Sequence, residues 1–176
     1  MACAGKIRGN ISDCVDGVGM AGNHQPSFER HPLAEERLNS AVTLVKALLG
    51  MPGLTPEHRR EFLKLALWKV TEAGSLNKYK TQLRAQAACS SAPGTKLQHD
   101  HVFQRSRMVD TLLMAKPEAI EPILKGAVGC TITKDEHERL NDFKHLDGWV
   151  RYRAAQIVVI DTETGAPFSF PELDPR

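Results

Sequence analysis

Between Ala127 and Asn141 the chain switches from one backbone period to another within a single residue. Ala127 to Ile132 is a short apolar run suited to a strand, and the residues after it carry a helix start. Thr133, with Glu136 three residues later, is a capping box. The hydroxyl can accept from the Glu136 amide while the carboxylate reaches back to the Thr133 amide. Asp135 and Glu136 in the first turn suit the positive end of the helix dipole. His137 and Asn141 are four residues apart and so share one face of that helix. A strand running straight into a capped helix predicts an α+β fold.

A second polar stretch lies upstream, Lys96-Leu97-Gln98-His99-Asp100-His101-Val102-Phe103, flanked by apolar residues. Read as a strand, it places Leu97, His99, His101 and Phe103 on one face and Gln98, Asp100 and Val102 on the other. Asp100 and His101 then point to opposite faces unless a bend brings them together. His99 reads as a polar residue on a strand face or as a further ligand. Taken with His137 and Asn141, this stretch is a candidate one-metal site.

The rest of the chain supplies the setting. From Leu33, apolar residues recur at helical spacing through Leu38, Val42, Val45, Leu48 and Leu49, until Gly50 can end the helix. Thr55 as N-cap and Pro56 at the first helical position restart a second helix. Phe62, Leu65, Leu67, Trp68 and Val70 form its expected apolar side. So short a link predicts an antiparallel helical hairpin. Lys78, Lys80 and Arg84 make a basic stretch able to grip phosphates or to lie as a solvated face, with Arg107 a further candidate contact. Met108 to Met114 and Pro117 to Leu124 read as short helices, and Ile157 to Ile160 as a strand of β-branched residues. Arg151 and Arg153 read as a nucleic-acid contact or a solvated face. The predicted organisation is an irregular segment over 1–30, a helical region over 31–95, a small strand-helix unit over 96–165 and a loose tail over 166–176.

Composition narrows the classes. With 176 residues, 25% charged and 41% hydrophobic, the chain suits one folded domain, and its net charge of +2 permits nucleic-acid binding without demanding it. Four scattered cysteines without a CxxC pair argue for reduced thiols. No apolar run approaches the ~20 residues of a membrane span, and no secretory signal opens the chain. The expectation is a cytoplasmic protein with no membrane partner.

Asp100-His101-Val102, followed after a long connection by a strand entering a helix with His137, resembles the His-Asn-His endonucleases of the ββα-metal superfamily. The resemblance covers roughly residues 96–145. Val128 occupies the place of the family's middle Asn, and the zinc knuckles of many members are absent from the sequence. The resemblance implies a ββα-metal-like unit after the helical hairpin, acting as a metal-dependent endonuclease on DNA or RNA. It makes His101 the general base and Asp100 a metal ligand, with His137 or Asn141 as the ligand from the helix. The expected metal is Mg²⁺, with Mn²⁺ or Zn²⁺ as alternatives. An imidazole near its ordinary pKa of ~6.5 can take a proton from water, and Arg105 could hold the scissile phosphate with its fork of donors. Two other readings stay open. One is a non-catalytic nucleic-acid or protein interaction module with a structural His or metal site. The other is a metallohydrolase of a small substrate.

Overall fold

The computed structural model describes residues 28–171. Most of the expected irregular N-terminal segment, Cys3 and Cys14 with it, and the last five residues of the tail lie outside them. Among the described residues the fold is mixed α/β, with seven helices and a five-stranded sheet.

Helices α1 (Ala34–Gly50) and α2 (Pro56–Glu72) pack against each other. Arg59 near the start of α2 donates to the carbonyls of Leu48 and Leu49, which end α1, and Arg37 near the start of α1 donates to Ala73 and Ser75, just past α2. The pair therefore runs antiparallel, and each arginine satisfies carbonyls that a helix end leaves without partners. Thr55 caps α2 through the His58 amide, with Pro56 in the first turn. The buried stripe of α2 is Leu63, Ala66, Leu67 and Val70, the spacing of one helix face, whereas Phe62 and Leu65 are exposed. The expected apolar side of α2 is thus rotated about one residue from the real one. Helices α4 (Arg105–Met114) and α5 (Pro117–Lys125) complete this helical cluster through Val109, Leu112, Ile120 and Leu124.

The sheet runs in the order β2-β3-β1-β4-β5, with β1 (Leu83–Ala85), β2 (Leu97–His101), β3 (Gly129–Thr133), β4 (Val159–Asp161) and β5 (Ala166–Pro167). β1 pairs parallel with β3, and the other neighbours are antiparallel. The basic stretch that ends in Arg84 therefore contributes a strand to the middle of the sheet, and the expected division at residue 95 cuts across that sheet. The strand expected over Ile157–Ile160 begins two residues later, at Val159.

One face of the sheet carries a second apolar cluster. Ala85, Cys130, Ile132 and Val159 meet Leu140 of α6 (Lys134–Asp142) and Trp149 and Tyr152 of α7 (Gly148–Ala154), with Ala88 of the short α3 (Gln86–Cys89). The start of the tail is not loose. Phe168 and Phe170 pack on Trp149 with ring centroids 4.9 and 5.1 Å away. The other face of the sheet is polar where it meets α2, and its cross-strand neighbours His99 and Thr131 lie there, with His101 opposite Gly129.

Candidate active site

The strand β2 lies at an edge of the sheet, so side chains from both its faces can border one opening. They do. A cleft of about 450 Å³ is lined by His99, Asp100 and His101 of β2, with Lys64 and Trp68 of α2, Arg105 of α4, His137 of α6 and Arg151 of α7. A larger hollow of about 670 Å³ lies against Leu49, Leu112 and Ile120, and no histidine or carboxylate lines it. Of the two, the cleft at the edge strand is the one that gathers histidines, a carboxylate and arginines together.

Local sequence explains each placement. The capping box at Thr133 is complete: the hydroxyl accepts from the Glu136 amide, and the Glu136 carboxylate accepts from the Thr133 amide at 2.9 Å. It starts α6 at the end of β3, which carries His137 back beside β2. Asp147 accepts from the Gln104 amide at 2.7 Å, and the Gln104 side chain donates to the carbonyls of Lys144 and Leu146. These bonds tie the start of α4 to the loop before α7 and bring Arg105 to the cleft. Gly148 makes the bend into α7 at φ +59°, where a Cβ would stand 2.6 Å from the Phe103 ring.

On the α7 side, Asp100 is 5% exposed and its carboxylate is surrounded by donors. Oδ2 accepts from Arg151 Nη2 at 2.5 Å and from the Tyr152 hydroxyl at 2.7 Å. His137 Nδ1 stands 3.4 Å from Oδ1, without the alignment of a full hydrogen bond. Burial alone would raise the Asp100 pKa, but His137, the Arg151 charge and the Tyr152 hydroxyl outweigh it and hold the carboxyl below its usual range. Burial pushes the Tyr152 hydroxyl well above its ordinary value, so it remains a donor. Two buried polar atoms here lack a partner, His137 Nδ1 and Arg151 Nε.

On the α2 side the groups are neutral. The Thr71 hydroxyl lies 3.1 Å from His99 Nε2 and 3.2 Å from His101 Nε2, and His99 Nδ1 is 2.9 Å from the Lys78 carbonyl. Trp68 stacks on His99 and meets His101 edge-on, with the Arg105 guanidinium 4.8 Å from its own ring centroid. Burial, then the neighbouring His99, Arg105 and Arg151, lowers the His101 pKa to about 3, against the opposing pull of Asp100. Burial also lowers His99, partly offset by its bond to the Lys78 carbonyl. The expectation of a base near its ordinary pKa is corrected: His101 is neutral throughout the physiological range.

No protein-family model, curated protein or solved structure matches this chain. The site rests on its own geometry.

The structure brings together Asp100, His101, Arg105 and His137 from the expected site residues. It does not bring the others. Asn141 is exposed one turn beyond His137 and does not line the cleft. Arg107 donates to the His145 carbonyl at 2.7 Å and fastens α4 to its neighbouring loop. Arg84 is 3% exposed, with Nε bonded to the Thr81 carbonyl, so it cannot present itself to a polyanion. Lys78 and Lys80 are exposed. Arg151, read as a nucleic-acid contact or a solvated face, is buried against Asp100. Lys64, Trp68, Thr71 and Tyr152 join the site without having stood out in the sequence. The signal for α2 is present in its helical period, which puts Lys64, Trp68 and Thr71 along one side, but nothing local says that this side meets β2.

Proposed function

We propose that the protein is an endonuclease that hydrolyses phosphodiester bonds in nucleic acid, using β2, β3 and α6 as a ββα-metal-like unit beside the helical hairpin of α1 and α2. One observation carries this reading. Asp100, His101 and His137 converge with Lys64, Arg105 and Arg151 in a single cleft open to solvent. Three cationic side chains against one carboxylate suit an anionic ligand. Arg105 stands in the first turn of α4, whose N-cap Gln104 makes no side-chain cap bond, so its guanidinium can meet a phosphate near the positive end of the helix. Lys78 and Lys80 on the surface extend the phosphate contacts past the Lys78 carbonyl that holds His99.

A divalent cation fits the residues present. His137 Nδ1 is buried and makes no aligned hydrogen bond, but it stands 3.4 Å from Asp100 Oδ1, within ion-pair distance. Two donors with metal bonds of about 2.0–2.2 Å stand roughly 3 Å or slightly more apart around one ion. Among the described residues no group of three or more His, Cys, Asp or Glu is placed to hold a metal. An ion here would therefore rest on these two donors and keep several waters, a coordination that Mg²⁺ or Mn²⁺ accepts. When bound, such an ion supplies charge neutralisation at the phosphate and at the leaving oxygen.

The remaining chemistry belongs to the chain. Arg105 and Lys64 orient the phosphodiester, and Arg151 keeps Asp100 ionised and in place. His101 takes a proton from water as the water oxygen attacks phosphorus. The P–O ester bond breaks, and the leaving oxygen takes its proton from solvent. A base with a pKa of about 3 is always unprotonated but weak. A bound phosphodiester offsets part of this lowering, because its negative charge opposes Arg105 and Arg151, while burial, the largest cause, stays.

Purified protein incubated with supercoiled plasmid and single-stranded RNA, in Mg²⁺, Mn²⁺ or EDTA, tests the proposal. Metal-dependent cleavage that His101→Ala reduces about 10²–10⁴-fold, with metal binding retained, is the expected result. Asp100→Asn, chosen because it keeps the side-chain shape and an acceptor oxygen for Arg151 and Tyr152 while removing the charge, should lose both cleavage and metal binding. Nucleic-acid binding with no cleavage under any condition returns the protein to a non-catalytic interaction module.

A further inference from the structure

We propose that Thr71 is a positioning residue: its hydroxyl, lodged between two imidazoles, fixes the His101 tautomer with the proton on Nε2 and the lone pair on Nδ1. The consequence for catalysis rests on the nuclease reading above, but the hydrogen-bond argument does not.

The row of bonds has a polarity set at one end. The Lys78 carbonyl can only accept, so His99 Nδ1, 2.9 Å away, must carry a proton. His99 is 9% exposed and, among the described residues, no carboxylate stands within ion-pair distance of its ring to offset a buried charge, so its Nε2 is a bare acceptor. Thr71 Oγ1, at 3.1 Å, is the donor to that atom. The hydroxyl has one proton and also lies 3.0 Å from the Trp68 carbonyl, its other acceptor. Spending the proton there would leave His99 Nε2 without a donor in a nearly buried position, which costs about 1–3 kcal/mol. The Trp68 carbonyl, three residues back on α2, needs no such bond. With its proton given to His99, Thr71 Oγ1 can only accept from His101 Nε2, 3.2 Å away. His101 Nδ1 then carries the lone pair and has no partner within the described residues.

The packing around the row leaves little freedom for another arrangement. Trp68 stacks on His99 with ring planes 16° apart and meets His101 at 71°. Gly129, opposite His101 in the sheet, makes room for His99: a Cβ there would lie 2.5 Å from its Cε1. Helix α2 is thereby a working part of the site, because the strand-helix unit alone lacks the hydroxyl that sorts the two protons.

The test uses the full chain labelled with ¹⁵N-histidine and observed by long-range ¹H–¹⁵N correlation at neutral pH. The expected spectrum shows His99 protonated at Nδ1 and His101 at Nε2. Thr71→Ser should keep that pattern. Thr71→Val, which matches the shape of threonine but lacks the hydroxyl, should mix or reverse the His101 tautomer. In plasmid cleavage with Mg²⁺, Thr71→Val should lower kcat about 10–100-fold with KM little changed, and Thr71→Ser should restore it. A wild-type His101 protonated at Nδ1, or a Thr71→Val spectrum like wild type, overturns the proposal. Should Thr71→Val fail to fold, the wild-type and Thr71→Ser spectra decide. The expected tautomers in a protein that cleaves nothing would sustain the role of Thr71 and reject the nuclease reading.

Discussion

On one face of β2, His99 and His101 meet α2 through a single threonine hydroxyl and carry no charge at neutral pH. On the other face, Asp100 meets α7 and α6 as a buried carboxylate held by a guanidinium, a phenol and an imidazole. Adjacent residues of one strand thus stand in opposite electrostatic settings, and the cause is what packs on each face. A buried charge persists only with a partner of opposite sign and further hydrogen bonds, which Arg151 and Tyr152 provide. A buried imidazole escapes the same cost by giving up its proton. The strand therefore delivers a carboxylate anion and neutral imidazoles to the same cleft.

Arg151→Met should break that contrast hardest. The substitution keeps most of the volume but leaves Asp100 buried without its cation, at a cost of about 3–5 kcal/mol in urea unfolding. Thr71→Val on the other face removes only neutral hydrogen bonds and should cost about 1–2 kcal/mol. Equal losses would mean that Asp100 is not ionised in the folded protein, and the distinction between the faces would fall.

Gly129→Ala comes next. The added methyl meets the His99 ring, and the Thr71 carbonyl at 3.2 Å blocks retreat on the other side. Displacing a packed ring costs about 1–3 kcal/mol. Thermal unfolding should show that loss, and the His99 resonances should move while the Asp100 side of the cleft keeps its geometry. A neutral Gly129→Ala would show that the imidazole row is loosely held.

The same contrast shows what could be read in the sequence. Asp100, His101 and His137 were legible because strand alternation and a capping box are local rules, and the opposite orientation of Asp100 and His101 follows from the period of two. Their partners were not. Thr71 lies 28 residues before His99, and Arg151 lies 51 residues after Asp100. The sheet itself was no easier to read, because β1 inserts between β3 and β4. That strand has three residues, and its middle one is an arginine, which reads as surface. Its burial against the sheet is a tertiary outcome that overrides the charge. Helix α2 failed in a milder way: Phe62 is bulkier than Leu63 and Leu65 bulkier than Ala66, yet Leu63 and Ala66 face the core because they are in phase with Leu67 and Val70.

Acid should separate the faces in two stages. His101 titrates near 6.5 when unfolded and at about 3 when folded. Below about pH 6.5 the unfolded chain binds a proton that the fold refuses, so stability falls as pH drops, by roughly 1 kcal/mol per unit or less. His99, lowered by burial, adds in the same direction. Asp100 is lowered as well, but its unfolded value is near 4, so its contribution is intact until pH falls below that point. Denaturation midpoints between pH 7 and 4.5 should decline in wild type and decline less steeply in His101→Asn, where His99 alone remains, while Asp100→Asn keeps the decline. A flat wild-type profile over that range would remove the neutral-histidine half of the comparison.

Lys64→Ala should have the smallest effect on the fold and separates binding from architecture. Lys64 is exposed on α2 and has no hydrogen-bond or salt-bridge partner among the described residues, so its loss should change stability by no more than about 0.5 kcal/mol. It nonetheless borders the cleft on the neutral face, where the histidines offer a phosphate no charge. If that face contributes to holding the polyanion, Lys64 is its cation, as Arg105 is at the start of α4. Plasmid binding measured against salt concentration should then weaken uniformly across sequences, with the logarithmic slope reduced by about one. An unchanged slope would mean that the polyanion is gripped from the α4 and α7 side alone, with the imidazole face reserved for the base.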